Sequence, residues 1–374
     1  MRFRCCCVLM VMILALNVMA SFPKAQGEAS GDVPGRALSG EVTLSFVGDC
    51  SIGDEIKQRR YSKSLTTKVE TYGYAWLFET VSAIFHQDDL TLANLEVVLS
   101  DYTVPHNANK SFHLIAPPEF REILPIAGID AVNTVNNHSI DFNYQGYRDT
   151  LLNLDEAGVK HFGTLNPARD TNRFVDHLIL DIQGIRFGFM GYTYPTNNDL
   201  KTIRQEIEEL RNQECEVVVV SFHWGRETYK TPQATQFNYA VEVLEAGADV
   251  IWGHHPHVLQ PVYFYQGKPI LFSTGNFVFG TIANLDPATG IFQLRWQRDE
   301  TGSVVLKSMT MIPCRTQKGG EFQPLLLTEE KDAEECLKHV MGKARKGFTE
   351  LPAGFEKSGT VYLQADGSLL TERP

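Results

Sequence analysis

Five short apolar segments of this sequence each end in a side chain that can bind a metal ion, and this pattern constrains the fold more than any other feature. Short apolar runs that alternate with amphipathic segments predict an α/β domain with buried strands and crossover helices. In open α/β sheets, binding sites form just past the carboxyl ends of the strands. The segments and their ligands are 42–47 with Asp49, 90–95 with Glu96, 131–135 with Asn137 and His138, 216–222 with His223, and 250–252 with His254, His255 and His257.

The side chains in these positions favour a particular class of metal ion. Carboxylate, amide and imidazole groups together suit Mn, Fe or Zn better than ions that prefer thiolates. One bridging carboxylate can hold two cations about 3.5–4 Å apart, and such a pair lowers the pKa of a water that the cations share. We therefore predict a centre with two divalent metal ions that makes hydroxide available near neutral pH.

Each residue alone also has a simpler structural explanation. Asp49 belongs to a residue type that is common in turns, Glu96 is compatible with a solvated charge, and His223 is compatible with a core histidine. The imidazoles at 254, 255 and 257 are harder to explain in this way, because they would repel one another when protonated. Five such strand ends in one domain favour a joint metal site over separate explanations.

The remaining pattern predicts two packed sheets with helices outside. Amphipathic spacing predicts helices over 75–86, 117–127, 144–157 and 235–246. Strand pairs flank Gln183-Gly184 and Gln266-Gly267, which are hairpin signals. The paired segments are 174–182 with 185–192, 262–265 with 269–273, and 291–296 with 304–312.

Both ends of the chain differ from this body. Arg2 and Arg4 precede an apolar run over 5–20 that ends in small residues, which is typical of a secretory signal. The run is short for a membrane span, although an uncleaved anchor remains an alternative. Residues 21–40 are predicted to be a flexible linker, 41–314 the folded domain, and 315–374 a C-terminal extension with a helix over 329–346 and a hairpin over 360–370. We therefore expect an extracytoplasmic protein.

Charge and cysteine content exclude some functions. The net charge of −11 argues against binding to nucleic acid or to an anionic membrane surface. An anionic substrate then needs a local positive feature, such as metal ions. Past the apolar run, Cys50, Cys215, Cys314 and Cys336 show no C-x-x-C spacing, so a zinc–cysteine site is not expected. We interpret them as buried thiols, and a disulfide remains open.

Seven segments of the chain resemble the CapA/PgsA family of capsule-synthesis (poly-γ-glutamate) proteins, within the calcineurin-like metallophosphoesterase superfamily. The most specific are AGIDAVNTVNNHSIDF at 127–142, VVVSFHWGRE at 218–227 and GHHPHVLQPV at 253–262. The others are FVGDCSIG at 46–53, LTLANLEVVLS at 90–100, FHLIAPPEF at 112–120 and FSTGNFVFG at 272–280. The resemblance implies a four-layer α/β/β/α sandwich with two mixed sheets.

The resemblance also implies a role for each site residue. Asp49, Glu96, Asn137, His223, His255 and His257 would bind the metal ions, with Glu96 at the bridging position. His138, oriented by Asp141, would stabilise substrate oxygens or protonate the leaving group. The chain departs from the superfamily at Ser51, where a histidine ligand is usual, so one metal position lacks a ligand.

Two functions follow from this resemblance. The first is a metal-dependent hydrolase that cleaves a phosphoester, or an amide of a γ-linked glutamate polymer. The second is a non-catalytic component that binds the anionic polymer alongside membrane-bound polyglutamate synthase components, and the serine at 51 favours it slightly. A purely structural cell-surface protein, without metal, is a third alternative.

Overall fold

The computed structural model describes residues 40–165, 177–280, 286–316 and 322–341, together with three short strands near the C-terminus, 355–357, 361–363 and 369–371. The predicted signal at 1–20 and nearly all of the predicted linker at 21–40 lie outside the described residues. Among the residues described, no helix combines the length and apolar character that a membrane crossing requires.

Helices and strands alternate along the first part of the chain, and strands dominate the later part. The strands are β1 Glu41–Ser51, β2 Asp54–Glu55, β3 Leu90–Leu95, β4 Val98–Leu99, β5 Leu114–Ala116, β6 Ala131–Asn133, β7 Lys160–Phe162, β8 Leu178–Ile182, β9 Ile185–Thr193, β10 Val217–His223, β11 Val250–His254, β12 Val262–Tyr265, β13 Lys268–Leu271, β14 Asn276–Phe279, β15 Ala288–Arg298, β16 Val304–Thr316, β17 Pro324–Leu326, β18 Phe355–Lys357, β19 Val361–Leu363 and β20 Leu369–Thr371. The α-helices are α1 Leu65–Tyr72, α2 Ser82–Phe85, α3 Ile123–Ala127, α4 Asn143–Ala157, α5 Asn197–Asn212, α6 Ala234–Glu245 and α7 Glu330–Met341, and Tyr74–Phe78 and Pro118–Glu122 are 3-10 turns.

In the described part of the chain, the strands form two large mixed sheets and one small sheet, β2-β5-β4. The first large sheet has the order β19-β20-β16-β15-β1-β3-β6-β7, with β14 beside the end of β1 and β17 beside β16. The second has the order β18-β12-β13-β11-β10-β9-β8. β1, β3 and β6 are parallel to one another, and so are β9, β10 and β11. Each parallel set therefore brings its carboxyl ends to one edge of its sheet.

Apolar side chains hold the two sheets face to face. Phe46 and Leu92 of the first sheet share one buried cluster with Phe187 and Trp252 of the second. The rings of Phe46 and Trp252 meet edge to face, with centroids 5.3 Å apart, a favoured arrangement for aromatic pairs. Helices α1 to α4 cover the outer face of the first sheet, and α5 and α6 cover that of the second. The predicted four-layer α/β/β/α sandwich with two mixed sheets is thus confirmed.

The hairpin predictions are confirmed, and two helix predictions are wrong in their extent. At Gln183-Gly184 both residues have positive φ, 48° and 81°, as the tight two-residue turns of hairpins require. The helix predicted over 75–86 is instead a 3-10 turn, Tyr74–Phe78, followed by the short helix α2. In the segment predicted as a helix over 117–127, Pro118–Glu122 is a 3-10 turn and only Ile123–Ala127 is α-helical. Helix α5 was not predicted, although a capping box of Thr196 and Asp199 marks its start.

The predicted C-terminal extension contributes strands to both large sheets. β17 and β20 pair with β16 of the first sheet, and β18 pairs with β12 of the second. The predicted hairpin is formed by β19 and β20, while its turn residues lie outside the described part of the chain. Cys50, Cys215, Cys314 and Cys336 are free and buried, as interpreted from the sequence.

Gly48 lies where β1 passes close to the segment before β14. A Cβ atom at position 48 would lie 2.1 Å from the carbonyl oxygen of Gly275, which accepts a 2.9 Å hydrogen bond from the backbone nitrogen of Asp49. We expect Gly48→Ala to lower the free energy of unfolding by about 1–3 kcal/mol, the usual cost of an overpacked site. Gly40→Ala is the matched control, because a Cβ atom there meets nothing within 4 Å. Denaturant titration compares the two variants, and equal stability would contradict this account.

Candidate metal centre

The five ligand-bearing strand ends converge on one buried pocket. Asp49 and Glu96 come from β1 and the end of β3 in the first sheet, while Asn137 and His138 follow β6. His223 ends β10 in the second sheet, and the loop after β11 carries His255 and His257. Because the parallel strands of each sheet end at one edge, and the two sheets pack face to face, these side chains lie within contact distance of one another.

Glu96 lies at the centre of this pocket. Its Oε1 atom lies 3.8 Å from Nε2 of His138, 3.9 Å from Nε2 of His223 and 3.7 Å from Nε2 of His257. The side chain is fully buried, and neither carboxylate oxygen has a hydrogen-bond partner. Burial and the nearby charge of Asp49 hold the pKa of Glu96 well above its ordinary value. A buried carboxylate without hydrogen bonds is costly, and a bound cation would remove this cost.

Asp49 is held in place by several donors. Its Oδ1 accepts a 2.8 Å hydrogen bond from Nδ2 of Asn94 and lies 3.0 Å from Nδ1 of His254. Its Oδ2 lies 3.3 Å from Nδ1 of His257. Burial alone would raise the pKa of Asp49, but His254 and His257 outweigh it and hold the pKa well below the ordinary value. Asp49 is therefore ionised in the pocket, which suits a metal ligand.

His223 and His255 are neutral imidazoles that face the same space. The Nε2 atom of His223 lies 2.8 Å from Oδ1 of Asn137, and the two histidine rings lie 4.8 Å apart. Tyr194 places its hydroxyl 2.8 Å from Nε2 of His255. Burial, reinforced by the neighbouring imidazole, holds the pKa of His223 well below its ordinary value, and burial with the charge of His257 lowers the pKa of His255 to about 4. Neutral imidazoles offer the lone pair that metal binding needs.

His257 has one nitrogen committed and one free to bind a cation. Its Nδ1 donates to Oδ1 of Asn276 at 2.8 Å, which leaves Nε2 directed toward Glu96. Such outer partners commonly orient metal-binding histidines. Burial alone would lower the pKa of His257, but the charges of Glu96 and Asp49 raise it to about 10. The two carboxylates thus attract positive charge to this position.

The backbone around the paired histidines is strained. His255 has φ of +95° and His257 has φ of +55°, in the region that favours glycine. Each such residue costs about 1–3 kcal/mol and persists where the surroundings fix it, which is common at binding sites. With this backbone conformation, both imidazoles of the short loop face the pocket.

His138 and Asp141 form the predicted pair beside the metal ligands. Nδ1 of His138 donates to Oδ2 of Asp141 at 2.6 Å, so Nε2 faces Glu96. Asp141 also accepts a 2.7 Å hydrogen bond from the backbone nitrogen of Leu114. Burial lowers the pKa of His138, although Asp141 opposes this effect. This contact is compatible with the orienting role that the resemblance implies for Asp141.

The pocket also contains residues that were not predicted from the sequence, and three of them approach its charged side chains. Lys110 contacts Asp141 and places Nζ 2.7 Å from the backbone oxygen of Asn137 and 3.2 Å from Nδ1 of His138. Asn276 orients His257, and Glu227 lies beside His255 and His257. Each reaches the pocket from a loop or strand that is remote in sequence from the ligand it contacts. Asn276 and Glu227 lie within segments that the resemblance had singled out, at 272–280 and 218–227, whereas Lys110 does not.

The predicted residues fit a divalent metal ion. Two groups of three side chains each bring their ligand atoms within 4.8 Å of one another. One group is Asp49, Glu96 and His257, and the other is Glu227, His255 and His257. The unpartnered oxygens of Glu96 are the clearest sign of fit. Ser51, where a histidine ligand was expected from the superfamily, is buried, and its hydroxyl has no hydrogen-bond partner. Metal binding by these residues stays a prediction, as do the roles of His138 and Asp141.

Comparison with known proteins identifies relatives of this chain. Residues 43–281 match a family model described as bacterial capsule synthesis protein PGA_cap. The capsule biosynthesis protein CapA of Bacillus anthracis is 28% identical over 357 residues, with 90% of this chain and 81% of that protein covered. The PGA biosynthesis protein CapA of Bacillus subtilis is 28% identical over 320 residues, with 81% of each covered. A probable polyglutamine synthesis accessory protein of Mycobacterium tuberculosis is 26% identical over 166 residues, with 38% of this chain and 43% of that protein covered.

Solved structures resemble the chain more distantly. A hypothetical protein from Thermus thermophilus has a TM-score of 0.45 and 15% identity, with 73% of this chain and 99% of that chain covered. NAD nucleotidase from Haemophilus influenzae has a TM-score of 0.41 and 12% identity, with 80% of this chain and 62% of that chain covered.

Replacement of Glu96 by glutamine tests its place at the centre of the pocket. Since the pKa of Glu96 in the folded protein lies above its ordinary value, its ionised form destabilises the metal-free fold near pH 7. Without metal, we expect the melting temperature of Glu96→Gln to equal or exceed that of the unchanged protein. Added Mn²⁺ should raise the melting temperature of the unchanged protein but not that of Glu96→Gln. Glu70→Gln, on the exposed surface of α1, is the control. A Mn²⁺-dependent rise of equal size in Glu96→Gln would exclude Glu96 as a ligand.

Proposed function

Because the chain belongs to the PGA_cap family of bacterial capsule synthesis proteins, we propose that it acts in the synthesis or export of a capsular polymer as a metal-dependent hydrolase. The observation that carries this proposal is the fully buried, unpartnered carboxylate of Glu96, which faces three imidazoles beside the His138–Asp141 pair. A pocket of this kind suits cation binding and proton transfer together.

The proposed centre holds two divalent ions of the Mn, Fe or Zn class. Asp49, Glu96 and His257 would hold one, and Glu96 with Asn137, His223 and His255 would hold the other. Bound ions would lower the pKa of water and offset negative charge on substrate oxygens. The mixed set of carboxylate, amide and imidazole groups supports this class of ion over ions that prefer thiolates.

His138 is the proposed proton-transfer residue. Its Nδ1 donates to Asp141, so its Nε2 atom is presented to the pocket. From there it would donate a proton to the leaving group of the bond that is cleaved. Lys110 contacts Asp141 and lies close to Nδ1 of His138. This ammonium group would keep Asp141 ionised and would add positive charge near an anionic substrate.

Poly-γ-glutamate is the polymer that we propose for this protein. Two relatives have names that refer to PGA biosynthesis and to polyglutamine synthesis. The bond cleaved would be a phosphoester, or an amide of the γ-linked polymer. The protein carries a net charge of −11, so a polyanion would be attracted only locally, by the bound ions and Lys110.

A second candidate function is polymer binding without catalysis, and Ser51 favours it. The serine replaces the histidine that the superfamily usually has, which leaves one metal position with fewer ligands. A weakly held ion could bind carboxylates of the polymer without activating water. In this case the protein would guide the polymer beside membrane-bound synthase components.

We also propose that the protein works outside the cytoplasm, as a secreted, periplasmic or cell-surface protein. Arg2, Arg4 and the apolar run over 5–20 support export. If the run is retained as an anchor, it would hold the domain near membrane-bound synthase components. N-terminal sequencing of the protein recovered from its native host distinguishes cleavage from retention.

Substitution of His223 tests the proposed hydrolase. We expect His223→Ala to reduce Mn²⁺-dependent hydrolysis of bis(p-nitrophenyl) phosphate by at least about 100-fold, because an imidazole ligand is lost. His86→Ala is the matched control, since this exposed histidine forms a hydrogen bond with the backbone oxygen of Ile126 at the surface. Undiminished activity in His223→Ala would contradict the assignment of hydrolysis to this centre.

The same preparations decide between hydrolysis and binding. Poly-γ-glutamate immobilised on beads is offered to the unchanged protein with and without a chelator, and its chain length is followed by gel electrophoresis. Shortening of the polymer, or phosphodiester hydrolysis, supports the hydrolase. Metal-dependent retention without any turnover supports the binding function instead.

A further inference from the structure

Glu227 lies in the loop that follows β10, at the solvent side of the pocket. It comes four residues after His223 and is exposed. Its loop is fixed to the loop after β11 by two hydrogen bonds, from the backbone nitrogen of Thr228 to the oxygen of Pro256 (2.8 Å) and from Nε2 of Gln260 to the oxygen of Tyr229 (2.7 Å). Glu227 is therefore held next to the strained His255–His257 segment by contacts of the two residues that follow it.

The side chains of Glu227, His255 and His257 form a compact group. One ligand atom from each lies within 4.8 Å of the other two. Two imidazoles and one carboxylate are a common ligand set for divalent ions such as Zn²⁺ and Fe²⁺. None of the predicted roles includes Glu227.

His257 connects this outer group to the inner one. It also belongs to the group of Asp49 and Glu96, and its Nδ1 is occupied by Asn276, so only Nε2 is free. A single nitrogen binds one ion at a time. An ion at Nε2 of His257 would therefore have the buried carboxylates on one side and Glu227 on the other.

The compact group and the fixed loops give Glu227 a place among the metal-binding side chains. We propose that Glu227 is a metal ligand that acts with His255 and His257 on the solvent side of the centre. This inference rests on the proposed metal-binding function.

Isothermal titration of the metal-free full chain with Mn²⁺ and with Zn²⁺ tests the proposal. We expect Glu227→Gln to weaken metal binding by about 10–100-fold or to reduce the number of ions bound by one. The metal affinity of Glu227→Asp should lie between that of Glu227→Gln and that of the unchanged protein. Glu300→Gln, in the exposed turn between β15 and β16, is the matched control and should bind as the unchanged protein does. Because Glu227 is exposed, the melting temperature of metal-free Glu227→Gln should not change.

The absorption spectrum of the Co²⁺-loaded protein gives a second readout that does not depend on activity. Loss of a carboxylate ligand should change the intensity of the visible bands in Glu227→Gln and leave them unchanged in Glu300→Gln. If the unchanged protein binds the ions and Glu227→Gln matches it in affinity, number and spectrum, the role of Glu227 is overturned while the proposed metal centre stands. If the unchanged protein binds no divalent ion, the metal centre and this inference both fail.

Discussion

Two carboxylates, those of Asp49 and Glu96, are fully buried where the two sheets meet, and burial of their charge is costly. Asp49 is compensated by Asn94, His254 and His257. Glu96 has no hydrogen-bond partner at all. Charges buried without partners are strongly unfavourable, and the proposed cation in the position that Glu96 faces would compensate this one. The rest of the site is built around this requirement.

The fold meets the requirement by bringing ligands from two sheets to one place. Parallel strands within each sheet end at the same edge, and the aromatic contact between Phe46 and Trp252 helps to set the two sheets face to face. Gly48 allows β1 to approach the segment at Gly275, and this approach fixes the backbone of Asp49. Packing next to the pocket thus helps to determine the distances between its ligands.

The sequence predicts that these side chains come together because its signal is local. A buried strand and the polar residue at its end are adjacent in sequence, as at His223, so both are visible without knowledge of the fold. Parallel strand order then brings the ends together. Helix α5 also has a local signal, because four apolar residues recur at helical spacing: Leu200, Ile203, Ile207 and Leu210. The many charged residues between them made this spacing hard to recognise. The helix over 75–86 was overestimated because apolar spacing alone does not show where a helix is interrupted.

The remaining residues could not be predicted because they reach the pocket through long-range contacts. Lys110 enters from an exposed loop, and no spacing in the sequence relates it to Asp141. Asn276 meets His257 because β14 pairs with the end of β1. Glu227 is placed by a hydrogen bond between two separate loops. Contacts of this kind depend on the completed fold and leave no periodic pattern.

The pocket therefore combines a buried inner side with an accessible outer side. Asp49, Glu96 and His223 lie on strands or directly after them and are fully buried, so their geometry is fixed by packing. Glu227 and Lys110 lie on loops and are largely or partly exposed, so a substrate can reach them. Buried ligands favour retention of a cation, and accessible charged groups favour contact with an anionic polymer. This division suits the proposed function, in which the protein would hold its metal ions while an anionic polymer passes over the site.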